Sequence, residues 1–345
     1  MCQHTICIEE LSIGYSGKNQ KKVVAEHISA TIHSGELTCL LGANGVGKST
    51  LLRTLSGFLP KLSGKIVVEG REVEAYTLRE LARVISVVLT DRFDGNYLSA
   101  REVVALGRSP YTDFWGKLSA EDRNVADRAL SLVRADHLAH RMIHSLSDGE
   151  RQKVMIAKAL AQDTPIVFLD EPTAFLDFPS KVELMQLLHQ LSRSTRKTIF
   201  LSTHDLELAL QIADKIWLMN DGGEVTTGTP EDLSLEGTLD RFFTRKGITF
   251  DMESGLFRVE PLYTMQVCLE GAGERYAMAE KALRRNGIRA VGRGECRIRI
   301  EILEETTPAY RIHKTDGSSV EATTIDELIR QVYPRLRALE REPSL

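Results

Sequence analysis

The sequence predicts an α/β fold built on a parallel sheet, with a smaller α+β unit after it. Three observations carry that reading. Apolar strand-like runs alternate with helical patterns from about residue 37 to residue 219, and such alternation implies parallel strands covered on both faces. A glycine-rich stretch, Gly42 to Gly47, stands directly between an apolar run and a helical pattern. Around residues 240–247 the pattern changes, and a second set of strands and helices begins.

Residues 5–13 and 23–32 read as strands, and the apolar 37–41 as a third that ends in the glycine turn. A helix follows over 48–57, then a strand over 64–69. Residues 99–160 are mostly helical in pattern, most clearly over 120–133. The short apolar run 165–169 has the composition of a strand buried on both faces. Helix 180–192, strand 198–202, helix 206–213 and strand 215–219 complete the alternation. Beyond the change, strands are expected at 257–260, 265–270, 296–302 and 310–314. Helices are expected over 274–286 and from 324, with a turn at Asp316-Gly317. The resulting division is a first domain over 1–240 and an accessory α+β domain of open role over 246–345.

A chain of 345 residues exceeds one ordinary core, in keeping with two domains. Hydrophobic residues at 42% and charged residues at 27% are globular values and argue against disorder. A net charge of −4, from 44 basic and 48 acidic residues, offers no field to recruit nucleic acid. Arg284, Arg285, Arg289, Arg293, Arg297 and Arg299 are matched by acids over 246–345 and read as solvated faces, so no nucleic-acid partner is expected. No run approaches the roughly 20 nearly uncharged residues of a membrane helix. Glu9 and Glu10 stand where a secretion signal would be apolar, and a cytosolic chain is expected. The five cysteines (Cys2, Cys7, Cys39, Cys268 and Cys296) are scattered and form no Cys-x-x-Cys pair. Reduced thiols are expected, with neither a metal site nor a disulfide framework. His137, His140 and His144 have helix-like spacing, but no carboxylate or cysteine completes a ligand set around them.

Three segments carry chemistry. Gly42-Ala43-Asn44-Gly45-Val46-Gly47-Lys48-Ser49-Thr50 fits the phosphate-loop pattern Gly-x4-Gly-Lys-Ser/Thr. Its glycines let backbone N–H groups wrap phosphates, Lys48 reaches the β and γ oxygens, and Ser49 ligates Mg²⁺. Ile166-Val167-Phe168-Leu169-Asp170-Glu171 is an apolar strand that ends in two acids. Asp170 is placed to hold the metal, and Glu171 to face the γ-phosphate and polarise a water. In Leu146-Ser147-Asp148-Gly149-Glu150-Arg151-Gln152, Ser147 and Glu150 stand at capping-box spacing before a helix. The free N–H groups of that first turn form an anion site, and Gly149 keeps side-chain bulk away from it.

The order of these segments, continued by Pro172-Thr173, Leu176-Asp177 and His204, resembles the ATP-binding subunits of ABC transporters over about residues 5–235. The resemblance implies a P-loop NTPase core with an antiparallel β subdomain and a helical subdomain over about 92–162. It implies ATP and Mg²⁺ as cofactors, and a homodimer whose Ser147 and Gly149, with Glu150 beside them, meet the γ-phosphate held by the other copy. It further makes His204 the histidine that touches the γ-phosphate, Asp177 a link between the two sites, and Tyr15 the aromatic that stacks on adenine. One position departs from the family. Its usual metal-contacting Gln falls on Thr90, in Val87-Val88-Leu89-Thr90-Asp91, where only a shorter hydroxyl is offered.

Glu102 followed by Gly107-Arg108-Ser109-Pro110 resembles the subfamily that serves iron-siderophore, haem and cobalamin importers. The partners this implies are transmembrane permease subunits and, indirectly, a periplasmic or surface substrate-binding protein. It places the chain peripherally on the cytoplasmic face of the inner membrane. Two alternatives stay open at this point: a soluble ABC ATPase uncoupled from transport, and an importer ATPase gated by a ligand of the C-terminal unit.

Overall fold

The computed structural model describes residues 4–17, 21–89, 97–113, 115–243, 248–251, 256–259, 261–292, 294, 296–303, 307–314 and 316–332. They divide into two compact units, Met1–Phe242 and Phe243–Leu345. No helix among the described residues is long and apolar enough to cross a membrane.

The first unit opens with β1 (His4–Ser16) and β2 (Lys21–His33), followed by β3 (Leu37–Leu41) and α1 (Lys48–Leu55). Next come β4 (Ser63–Val68), β5 (Arg71–Glu72), α2 (Leu78–Leu81) and β6 (Ile85–Val88). The helical stretch comprises α3 (Ala100–Ala105), a 3₁₀ turn at Leu106–Tyr111, α4 (Ala120–Leu132) and α5 (Asp148–Ala161). The chain continues through β7 (Ile166–Asp170), α6 (Phe178–Thr195), β8 (Thr198–Thr203), α7 (Leu206–Ile212) and β9 (Lys215–Met219). It closes with β10 (Val225–Gly228), α8 (Pro230–Leu235) and α9 (Thr238–Phe243).

Two sheets result. One is six-stranded in the order β10-β9-β3-β8-β7-β6, with β10 antiparallel at one edge and the rest parallel. The other is four-stranded and antiparallel, in the order β2-β1-β4-β5. Every residue of β3, β7 and β8 is buried, as continuous apolar runs in a covered parallel sheet require. One core joins the two sheets: Ile6, Ile8 and Ile66 of the antiparallel sheet pack with Leu51 and Leu55 of α1 and with Phe168, Phe200 and Trp217. The three aromatics meet edge to face, with ring centres 5.5 and 5.1 Å apart.

The segment used to infer the transporter subfamily is scaffold. A side chain at Gly107 would place its Cβ 2.2 Å from the Lys158 carbonyl oxygen, so only glycine lets this turn lie against α5. Arg108 is buried; its Nε lies 2.9 Å from the Asp122 carboxylate, and its NH1 donates to the Ala161 carbonyl at the end of α5. Its guanidinium also covers the Tyr111 ring at 4.0 Å. The Ser119 hydroxyl, together with Arg108, draws the Asp122 carboxyl down to about 2. Arg108 therefore ties the 3₁₀ turn to both α4 and α5.

The second unit holds a hairpin of β11 (Ile248–Asp251) and β12 (Leu256–Val259). After it come β13 (Met265–Glu270), α10 (Gly273–Arg285), β14 (Ile288–Val291), β15 (Ile298–Ile302), β16 (Tyr310–Lys314), β17 (Ser319–Ala322) and α11 (Ile325–Val332). A five-stranded sheet runs β14-β13-β15-β16-β17. Val267, Leu269, Ile300 and Ile312 of its strands pack against Leu283 of α10 and Leu328 of α11, so the helices cover one face. The sequence pattern did not reveal α2, β10, β14 or β17, each only four residues long and too short to show a period.

The expectation of unpaired thiols is overturned at one pair. Cys268 and Cys296 are joined as a disulfide, with Cα atoms 5.7 Å apart. They lie 28 residues apart in sequence, and the sheet order that brings β13 beside β15 is invisible in cysteine spacing. Cys7 and Cys39 are free.

Candidate active site

The loop after β3, the acids ending β7 and the histidine after β8 all lie at the carboxyl ends of three adjacent parallel strands. Ligands of open α/β sheets bind at that edge, because loops diverge there and helix N-termini point at it. Gly47 adopts φ +120°, and a Cβ there would lie 2.3 Å from Val24 Cγ1; the loop closes on α1 only with glycine at this position. Gly47 gives α1 no side-chain cap, so the first-turn N–H groups remain for an anion. Gly42, Asn44 and Gly45 form the rest of the loop, with Asn44 exposed.

Lys48 is buried and curls back over this loop, where its Nζ donates to the carbonyls of Gly42 at 2.9 Å and Ala43 at 3.1 Å. The same ammonium stands 3.6 Å from Glu171 Oε1. Glu171 Oε2 in turn lies 3.6 Å from His204 Nδ1. One carboxylate thus sits between a cation fixed in the phosphate loop and a half-exposed imidazole. The backbone of Glu171 is left-handed, with φ +48°, an uncommon conformation for a residue with a side chain.

Ser49 donates to Asp170 Oδ1 at 3.0 Å, which brings a hydroxyl and a carboxylate together. Hard oxygen donors of this kind suit Mg²⁺, so the residues fit the metal that the resemblance implies. Thr90, the third metal-directed expectation, lies outside the described residues. The Tyr15 and Thr50 hydroxyls share a hydrogen bond of 3.1 Å, and Tyr15 keeps an exposed ring at the edge of the loop.

Ser202 was missed by the sequence reading. Fully buried in β8, its hydroxyl donates to Asp170 Oδ1 at 2.7 Å and accepts from the Glu171 N–H at 2.9 Å. It therefore fixes the Asp170 carboxylate and the backbone of Glu171. The signal was present: a hydroxyl among the apolar residues Ile199-Phe200-Leu201, two positions before His204. Beyond His204, Lys181 pairs with Asp205 at 2.7 Å, and the Asp205 N–H donates to the Thr203 hydroxyl at 3.0 Å; these anchor the turn that carries the imidazole.

The remaining expected residues form a separate cluster. Ser147 caps α5 in a full capping box: its hydroxyl accepts from the Glu150 N–H, and Glu150 accepts from the Ser147 N–H at 2.9 Å. That N–H bond holds the Glu150 carboxyl below the usual carboxylate range, and Arg141 adds a contact at 2.8 Å. Asp177 caps α6, accepting from the Ser180 N–H at 3.1 Å; Ser180 lowers its carboxyl, side chain first and then backbone. The two helix starts face each other across a shallow cleft of about 150 Å³ lined by Ser147, Gly149, Glu150, Leu176 and Ser180.

A phosphate-loop sequence with Asp170 and Glu171 beside it at one sheet edge is the arrangement of a P-loop nucleotide-binding fold. Comparison with known proteins places the chain further. The sequence profile of the ABC transporter family matches residues 25–174, and that of the iron ABC transporter C-terminal domain matches residues 264–333. An uncharacterised ABC transporter ATP-binding protein of Methanocaldococcus jannaschii is 37% identical over 252 residues, 73% of this chain and 86% of that one. The ferric enterobactin transport ATP-binding protein of Escherichia coli is 32% identical over 70% of this chain and 88% of its own length. The iron(3+)-hydroxamate import ATP-binding protein of Bacillus subtilis is also 32% identical, over 70% and 88%. Among solved structures, a component of an ABC transporter complex of Clostridium perfringens superposes with TM-score 0.60 at 29% identity, over 69% of this chain and 94% of that one. A bacterial ABC transporter cassette solved as a dimer gives 0.57 at 26% identity, over 65% and 98%. The chain belongs to the ATP-binding subunits of ABC transporters, which are ATPases coupled to transport.

Proposed function

We propose that the chain is the ATP-hydrolysing subunit of an importer for iron-siderophore, haem or cobalamin-type cargo, and that it works as a homodimer around two Mg-ATP. The observation that carries this reading is the Lys48–Glu171–His204 array beside Ser49 and Asp170, at one edge of the parallel sheet. The cargo class is supported by the named transport of the E. coli and B. subtilis relatives and by the iron-transporter profile over residues 264–333. The partners are a membrane permease, a second copy of this chain and, through the permease, a periplasmic or surface substrate-binding protein. The chain then sits at the cytoplasmic face of the membrane.

In this reading the loop N–H groups from Gly42 to Ser49 wrap the phosphates, and the Tyr15 ring packs on the adenine. Ser49 and Asp170 hold Mg²⁺, which supplies charge neutralisation for the phosphates. Lys48 leaves its carbonyl partners for the phosphate oxygens and so stops pairing with Glu171. Glu171, released from that contact and aimed by its backbone, accepts a proton from the attacking water. His204 donates to the γ-phosphate. Ser147 and Gly149 of the second copy close over that phosphate, which makes dimer closure depend on ATP.

The test uses Ser147→Arg in the full chain. ATP binding stays within a few-fold of the parent, while ATP-dependent dimerisation in sedimentation and hydrolysis are both lost. Parent-like hydrolysis by this variant would mean that no second copy completes the site. Co-reconstitution with the permease in vesicles tests the transport assignment: hydrolysis rises with the importer reading and stays at its basal rate with a soluble ATPase.

A further inference from the structure

Strand order gives the Cys268–Cys296 bond a specific mechanical place. Strands β14 and β15 both run parallel to β13 and lie on opposite sides of it. The connection between them, of which Gly292, Gly294, Cys296 and Arg297 are described, passes from one side of β13 to the other. It crosses at the level of Cys268, which pairs in register with Val291 at the end of β14 and with Arg299 at the start of β15. Val267 and Leu269 point into the core beneath the helices, so Cys268 points to the opposite face, under the crossing segment. Cys296 lies in that segment. The bond thus latches the crossover to the strand it passes.

We propose that Cys268 and Cys296 form a reversible dithiol–disulfide couple that fastens and releases this crossover. Two observations separate it from a permanent staple. The unit has a core of its own, in which Val267, Leu283, Ile300 and Ile312 are fully buried, so its fold does not hang on a cross-link as that of a coreless small domain does. The two sulfurs also differ in access. Cys268 is 2% exposed, whereas Cys296 is half-buried and so the more accessible of the two. At the proposed cytoplasmic location, small-molecule thiols are abundant and protein disulfides are transient.

The exchange proceeds in two steps. A small-molecule thiolate attacks the Cys296 sulfur, the S–S bond breaks, and Cys268 leaves as a thiolate that takes up a proton. A second thiolate attacks the small molecule's sulfur in the mixed disulfide, which frees Cys296 and yields the small-molecule disulfide. Two electrons pass to the protein, and two protons end on its sulfurs. Oxidation by a small-molecule disulfide runs the same steps backwards.

The experiment equilibrates the native full-length chain in glutathione buffers from fully oxidised to fully reduced. After an acid quench it counts alkylated thiols by mass under denaturing conditions. Of the five cysteines, three are expected to react at the oxidised end and five at the reduced end, with Cys268 and Cys296 changing together in peptide maps. Cys268→Ser and Cys296→Ser each leave four thiols that form no intramolecular bond across the series. Hydrogen exchange of β13 and the 292–297 segment rises on reduction in the parent, while α1 and β3 stay unchanged. A bond that reduced glutathione cannot open without denaturant would make it a fixed staple and overturn the proposal. Failure to form in oxidised glutathione, or pairing with a different cysteine, would overturn it equally. None of these readouts depends on hydrolysis, so the assignment of the ATPase site stands or falls separately.

Discussion

The two clusters of expected site residues are built on opposite principles. Around Lys48 the side chains reach across elements: one ammonium from a helix start and one carboxylate and one imidazole from two strand ends meet within 3.6 Å steps. Around Ser147 and Asp177 each polar side chain closes on the backbone of its own helix start. The first cluster is assembled from groups that one chain brings together across its elements. The second is a pair of capped helix ends, each locally satisfied. A helix start fixed in this way lowers the ordering cost of any contact made to it, which is the feature the proposed dimer would use.

The sharpest way to break this contrast is to remove chemistry from the first cluster alone. Glu171→Gln keeps the side chain's shape and removes the proton acceptor, so hydrolysis should fall by roughly 10²–10⁴-fold. Nucleotide affinity should stay within a few-fold, because the loop and Lys48 are untouched. A phosphate-release assay that recovers more than a tenth of the parent rate would remove Glu171 from this role.

Next in size is the frame beneath the second cluster. Arg108 bonds the far end of the helix whose start carries Ser147. Arg108→Ala leaves the buried Asp122 carboxylate with its Ser119 contacts but without its cation, removes a donor from the Ala161 carbonyl, and should cost about 3 kcal/mol of stability in denaturant titrations. Asp122 also supplies the pH signature. Its folded value of about 2 lies below its ordinary 3.8, so its contribution is present above about pH 4 and is lost as pH falls toward 2. The acid limb of the parent's stability curve should therefore be shallower in Asp122→Asn. Superimposable curves would show that the pair does not govern that limb.

Ser202→Ala probes the first cluster from beneath. It leaves the Glu171 N–H unpaired and removes one donor from Asp170, at an expected cost of about 1–3 kcal/mol. If Ser202 positions both acids, kcat should drop by about tenfold, and the metal requirement should shift to higher Mg²⁺. A stability loss with unchanged kcat and unchanged Mg²⁺ dependence would reduce Ser202 to a core residue.

Much of the first unit was legible because its signals are local. An apolar strand, a glycine turn and a lysine are consecutive in sequence, and the sheet edge gathers every residue that ends a strand. Glu171 and His204, which the structure brings together, are singled out in that way. Ser202 is not, since its partners lie 31 and 32 residues away on the neighbouring strand and a buried serine has no periodic signature. The disulfide escaped for the same reason, since only the order β14-β13-β15 brings its halves together. Arg108 belongs to the segment that resembles the transporter subfamily, and its burial against Asp122 adds a role that the motif does not show: it holds helices. Short motifs report which residues recur together, whereas packing decides what each one does.

Gly149→Ala is the mildest change to the chain and the one that best separates the two clusters. An added Cβ would lie 3.8 Å from Leu176 and 3.9 Å from Ser180, ordinary contact distances, and Gly149 has no left-handed φ to preserve. Alanine is also the better helix former, so the melting temperature should hold or rise slightly. Among the described residues nothing opposes the methyl group. If the N–H groups of this helix start press against another copy's γ-phosphate, the methyl group intrudes there, and hydrolysis should fall while monomer stability does not. Equal retention of stability and hydrolysis would show that nothing approaches Gly149 closely during the cycle. The α5 start would then be only the capped helix that its hydrogen bonds describe.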